Sequence, residues 1–125
     1  PIIAINDPQN YDVIGATAPN FNITIDEPNL DKVWYSLNGG INVTFTVLTG
    51  TINQALWDAL PEGNVVIKFY ANDTLGSIGF QEVSVVKEIS QPSPLGIPGY
   101  DLLFLLGIIL VVAIIIIKKR LNYLN

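Results

Sequence analysis

Neither cysteine nor histidine occurs among the 125 residues of this chain. Their absence excludes disulfides, thiolate and imidazole metal ligands, cysteine nucleophiles and histidine-based triads. Basic residues are also scarce: six Lys plus Arg stand against eleven Asp plus Glu, a net charge of −5. The positive surface that nucleic acid requires is therefore missing. The chain starts at Pro1 with neither a Met nor a signal peptide. Because an exported domain needs a targeting segment, the expectation is a processed or excised piece of a longer protein.

Charge is unevenly spread. Residues 1–97 carry ten acids and three lysines, −7, whereas residues 98–125 carry one acid and three bases, +2, which sum to −5. Between Leu102 and Ile117 lie sixteen residues with no polar side chain. As a helix at about 1.5 Å per residue this run is ~24 Å long, which Tyr100 and the stems of Lys118 and Lys119 extend toward a ~30 Å hydrocarbon core. Eight of the sixteen are Ile or Val, poor helix formers in water, but in lipid an extended chain would leave its backbone unpaired. Residues 100–117 are thus expected to form a single transmembrane helix. The basic cluster Lys118, Lys119 and Arg120 acts as the stop-transfer signal and leaves 118–125 as a cytoplasmic tail, with the N-terminal part outside the cell. Membrane lipid is the first expected partner.

Residues 1–89 alternate with period two and are broken every eight to twelve residues by turn formers, the pattern of an antiparallel sandwich. Ile2 to Ile5 opens, stopped by Asn6-Asp7-Pro8, and Val13-Ile14 continues along the edge. Phe21, Ile23 and Ile25 share one face of the next strand, and Val33, Tyr35 and Leu37 one face of another. Asn38-Gly39-Gly40 supplies a tight hairpin, after which Ile41, Val43, Phe45 and Val47 face inward. Ile52, Ala55, Leu56 and Ala59 have helical spacing, which predicts a short helical turn across one end, with Trp57 packed beneath the core. Val65, Ile67, Phe69 and Ala71 face inward on the strand after Gly63, and Asn72 to Gly76 is a hairpin loop. The last strand runs from Phe80 to Ile89, where the mismatched phases of Phe80 and Val83 predict a bulge near Gln81. The expected core is Phe21, Ile23, Ile25, Tyr35, Val43, Phe45, Val65, Ile67, Phe69, Val83 and Val85. Six or seven strands result, followed by residues 90–99, a linker with three prolines and two glycines, extended and stiff enough to hold the domain off the membrane.

Tyr35-Ser-Leu-Asn-Gly-Gly40, Leu60-Pro-Glu-Gly63 and Val66-x-x-Phe-Tyr-Ala-Asn-Asp73-x-x-Gly76 resemble the Ig-like modules of archaeal and bacterial surface proteins over about residues 19–89. Asn38 stands where those modules usually carry Asp, and Ser77 where they carry Asn. The resemblance implies an all-β, Ig-like or fibronectin-type antiparallel sandwich, a fold that hosts many functions. Pro98-Gly99-Tyr100, the apolar helix and the basic cluster in turn resemble the tripartite sorting tails processed by archaeosortases, with Tyr in place of the usual Phe. That likeness implies exchange of the helix for a lipid. Plain anchoring needs only the helix and its charges, and the retained anchor is the expectation.

Three Asn-x-Thr triplets begin at Asn22, Asn42 and Asn72. Asn22 and Asn42 fall on polar strand faces and Asn72 in a loop, so glycosylation of at least one is expected on an exported domain. Asp26, Glu27 and Asp31, and Asn72 with Asp73, form oxygen-rich loops without regular calcium-ligand spacing, and their expected role is to cap turns. No cofactor and no metal are expected. The pair Asp58/Glu62 lacks any sign of a surrounding pocket, so no catalysis is expected. Alternation points Trp34 outward beside Lys32 and Ser36. The expectation is that a local twist tucks its ring into the core, with a contact patch as the alternative.

The function these features imply is non-enzymatic: the membrane-proximal spacer of an archaeal adhesin or surface-layer protein, bordered by further modules or surface proteins. The alternatives are the stalk and anchor of a larger secreted hydrolase, and a subunit of a membrane complex or filament. Gly107, with no second small residue four away, gives little for close helix packing.

Overall fold

A computed structural model describes residues 1–89 and 102–123, the side chains of the latter from residue 110 onward. The first unit holds eight strands and one helical turn: β1 (Ile2–Asp7), β2 (Val13–Ile14), β3 (Asn20–Asp26), β4 (Leu30–Leu37), β5 (Val43–Phe45), β6 (Thr49–Thr51), α1 (Gln54–Asp58), β7 (Gly63–Asp73) and β8 (Ile78–Lys87). They form a sandwich of a three-stranded sheet, β1-β3-β6, and a five-stranded sheet, β2-β8-β7-β4-β5. Every pairing is antiparallel except β2 with β8.

Alternation puts one side of each strand between the sheets. Val65, Ile67, Phe69 and Ala71 of β7 are completely buried, opposite Phe21 and Ile23 of β3. Rings from both sheets interlock: Phe21 lies 5.4 Å from Phe69 and 5.0 Å from Phe45 between centroids, in the tilted geometry aromatic pairs prefer. Of the expected core, Ile25, Val43 and Phe45 are only half-buried, while Ile3, Ala18 and Ile52 join it unforeseen.

Two expectations about strands fail. Ile41 to Val47 does not form one long inward-facing strand: only 43–45 pair, and Ile41 and Val47 are 68% and 65% exposed. β5 is a sheet edge, bonded to β4 alone, so nothing holds the flanking residues to the pleat. No bulge interrupts β8 either, since its register with β7 runs unbroken from Gly63↔Lys87 to Asn72↔Ile78. Phe80 and Val83 differ in phase because Phe80 faces outward and Val83 inward. The count of eight strands, above the expected six or seven, includes β6, which reads as a loop because it is Thr-Gly-Thr. Gly50 sits directly opposite Phe21, and the ring covers it so closely that an added Cβ would lie 2.9 Å from a ring carbon.

The turns follow the residues. Asn38 and Gly39 adopt φ of 49° and 71°, the left-handed pair that a two-residue hairpin turn needs. α1 closes one end of the sandwich as predicted. Asn53 caps it by accepting from the Leu56 N–H at 3.0 Å. Its Trp57 is fully buried, with Nε1 donating to the Gly15 carbonyl at 3.0 Å.

From Pro1 to Ile14 the chain tracks β8. A Cβ on Gly79 would strike the Pro1 backbone. Farther along, the Tyr11 N–H donates to Ser84 and the Val86 N–H to Asp12, at 2.8 and 2.9 Å. Pro1 therefore lies at the start of β8 and Ile14 beside its end.

The second unit is α2 (Leu102–Tyr123), 22 residues long. Leu110, Val111, Val112 and Ile114 to Ile117 are all exposed, which takes in every side of the helix. Among the described residues no helix is long and apolar enough to cross a membrane. The apolar run begins in the eight residues, 102–109, whose side chains are not described.

Candidate functional site

The outer face of the five-stranded sheet collects the unexpected side chains. Register sets Thr44 of β5, Trp34 of β4, Tyr70 of β7 and Phe80 of β8 in one row across four strands. Trp34 and Tyr70 stack in parallel, 5.4 Å between centroids and 4° between planes, and Tyr70 meets Phe80 at 6.2 Å. Lys68, one pleat away, holds its Nζ 3.9 Å from the Phe80 centroid, a cation–π contact at an exposed site. Trp34 is thus not tucked into the core. No twist reverses β4, and the ring is half-buried because Tyr70 shields one of its faces. Phe80 and Ile78 remain 57% and 61% exposed at the end of the row. The signal for this arrangement was available: Tyr70 and Phe80 are outward in phase, as Trp34 is.

The three Asn-x-Thr asparagines occupy different settings. Asn22 is exposed in the middle of β3, paired on both flanks, and its Oδ1 accepts from Asn6 Nδ2 at 3.2 Å. Asn72 is half-buried in β7; its Oδ1 accepts from the Lys32 N–H at 2.8 Å and its Nδ2 lies 3.5 Å from an Asp31 carboxylate oxygen. Rather than standing in the loop, Asn72 is the penultimate residue of β7, paired with Ile78. Asn42 is exposed in irregular backbone just before β5, and among the described residues its side chain makes no hydrogen bond.

The acidic loops cap backbone. Asp73 Oδ1 accepts from the N–H groups of Ser77 and Leu75 at 2.8 and 2.9 Å. These bonds, the Ser77 N–H foremost, hold its carboxyl below the ordinary carboxylate value. Glu27 Oε1 accepts from the Asn29 N–H, and its Oε2 lies 3.2 Å from the Pro1 ammonium. Among the described residues no three carboxylates gather as a metal cluster would need. Asp58 accepts from Gln54 and Glu62 from the Ile89 N–H. A cleft of about 380 Å³ opens between the edges β5 and β6, floored by Phe21, Tyr35 and Phe45. Lys118, Lys119 and Arg120 are exposed on the final turns of α2. Pro98, Gly99 and Tyr100, with the rest of the 90–99 linker, lie outside the described residues.

Lys87 was not singled out by sequence reasoning. It is 3% exposed, and its Nζ donates to the carbonyls of Trp57 and Leu60 at 2.8 and 2.7 Å, tying the end of β8 to the end of α1. Its parity with Val83 and Val85 is the only sequence sign of an inward lysine.

No family model and no curated protein matches this chain. Among solved structures it is similar to the fibronectin(III)-like modules of CbhA from Clostridium thermocellum. That likeness has a TM-score of 0.58 at 15% identity and covers 72% of this chain and 99% of the module. An engineered protein is similar at TM-score 0.54 and 10% identity, over 71% of this chain but only 20% of its own length. At such identities the likeness is one of fold: the first unit is a fibronectin(III)-like, Ig-type β-sandwich.

Proposed function

We propose that this chain is a non-enzymatic spacer module of the cell surface, its sandwich outside the cell and α2 a single-pass anchor with a cytoplasmic C-terminus. The observation that carries the reading is α2 itself. Its apolar run is followed at once by Lys118-Lys119-Arg120, and Leu110 to Ile117 present apolar side chains on all sides, a surface suited to lipid and costly in water. An acidic, lysine-poor sandwich suits a solvated exterior. The fibronectin(III)-like fold suits a repeated or stacked unit, with neighbouring modules or surface proteins as partners and the end of the aromatic row, Phe80 and Ile78, as the contact. The helix is retained, since anchoring requires no processing step.

A broad-specificity protease applied to intact cells tests the topology. Loss of the sandwich with a protected C-terminal fragment supports it; digestion only after lysis overturns it. Intact-mass spectrometry of protein from native membranes tests retention. A C-terminal peptide containing Lys118 or Arg120 supports the anchor, and a lipid-bearing chain ending before Leu102 rejects it.

A further inference from the structure

From Val33 to Trp57 the chain has no Asp, Glu, Lys or Arg. Within those residues lie both strands that border one side of the sandwich, β5 and β6, each bonded on one flank only. The cleft between them exposes part of the aromatic core, and Ile41 and Val47 flank β5 largely uncovered. Free edges of this kind template pairing with another chain, and proteins ordinarily blunt them with charge. The opposite edges carry it: β1 ends in Asp7, and Asp12 directly precedes the two-residue β2. The neutral edge has a different feature, the triplet Asn42-Val43-Thr44, whose Thr44 is exposed on β5.

We propose that Asn42 carries an N-linked glycan and that this glycan guards the uncharged β5/β6 edge against pairing with other chains. The three sequons compete on geometry. Glycosylation needs a free Nδ2 and backbone with room to approach a transferase. Asn72 is half-buried with its amide engaged on both sides, and Asn22 lies in a strand paired on both flanks. Asn42 meets both conditions. In the transfer, Nδ2 forms a bond to the anomeric carbon of a sugar carried on a lipid phosphate. The anomeric C–O bond breaks, the lipid phosphate leaves with that electron pair, and one amide proton is released. A bulky, solvated sugar at the start of β5 then occupies the space an incoming strand would need.

The inference rests on the extracellular reading, and the sequence lets the two be tested apart. Lys32, Lys68 and Lys87 are the only basic residues before Lys118, so trypsin separates the sequons into peptides 1–32, 33–68 and 69–87. For protein from native membranes, peptide 33–68 should carry a sugar mass and the other two should not. Thr44→Ser should keep the sugar and Asn42→Gln lose it. Purified full-length Asn42→Gln should shift from a single species to dimers and larger assemblies in sedimentation. Asn42→Lys, equally unglycosylated but charged, should return to the single species, with unchanged tryptophan emission reporting an intact fold for both variants. An unmodified 33–68 peptide in cells whose sandwich is protease-accessible overturns the glycan and leaves the topology standing. Protease protection overturns both. A glycosylated Asn42 whose Gln variant stays a single species overturns the guarding role.

Discussion

β7 and β5 belong to one sheet and alternate in the same way, yet only β7 is bonded on both flanks. In β7 the inward side chains are wholly buried, and Phe69 is surrounded by Phe21, Tyr35 and Phe45. In β5 the inward Val43 and Phe45 are only partly buried beside an open cleft, and the strand ends after three residues. Alternation decides which way a side chain points. Pairing on both flanks, with the opposite sheet overhead, decides how much water it loses.

The sharpest break of that comparison is a pair of truncations. Phe69→Ala should cost about 3–5 kcal/mol, the range for a buried phenylalanine. Phe45→Ala should cost less, about 1–2 kcal/mol, since only part of a phenylalanine's ~1.5–3 kcal/mol burial is realised at the edge. Equal losses in denaturant titration would mean that the edge packs as the centre does. Between those two in size is Lys87→Met, expected to destabilise by about 1–3 kcal/mol because two carbonyls lose their donor while the apolar stem is kept. A neutral or stabilising result would mean that the desolvation of the ammonium had offset both bonds. Smaller again is Trp34→Ala on the outer face. It should cost about 1 kcal/mol, the worth of an aromatic pair and part of a ring's burial, and should leave Trp57 emission unmoved.

Asp73, at the end of β7, gives the smallest effect and one that depends on pH. Its carboxyl titrates lower in the folded state than in the unfolded chain. Its contribution is therefore present above the unfolded value and is lost as pH falls through the folded one, from about pH 4 downward. In Asp73→Asn that part of the acid limb should disappear in thermal melts taken between pH 5 and 2. A limb unchanged by the substitution would assign the acid sensitivity to other carboxylates.

Much of the sandwich was legible from the sequence because period two and turn chemistry are local signals. The faces of β3 and β7 and the Asn38-Gly39 turn follow from them, and the helical spacing of Ile52, Ala55, Leu56 and Ala59 places Trp57 beneath the core. What escaped depends on neighbours in space. Gly50 forms a strand because Phe21 covers it, a fact held by residues far apart in the chain. Lys87 is buried because the end of α1 and the turn after it offer the carbonyls of Trp57 and Leu60, which no strand pattern records. The bulge expected at Gln81 rests on the mismatched phases of Phe80 and Val83, a mismatch that the outward row of Trp34 and Tyr70 accounts for by giving Phe80 an outward place. Of the candidate site, the sequons were readable as motifs, whereas the difference among the three Asn amides required the hydrogen bonds.

The way residues 1–14 accompany β8 bears on how such a module responds to being pulled. Pro1 lies at the start of β8 and Lys87 at its end, ten residues or ~30 Å apart along the strand direction. Tension applied through these two points runs parallel to the strands, across ladders whose hydrogen bonds lie perpendicular to it in the antiparallel pairs and slanted in the short parallel β2/β8 pair. The bonds between β1 and β3, between β2 and β8, and between β8 and β7 then share the load together and are not opened one at a time from an end. Lys87, tied to the Trp57 and Leu60 carbonyls at the last residue of β8, lies just behind the Glu88 and Ile89 N–H bonds to Ile14 and Glu62, which a pull from the C-terminal side reaches first.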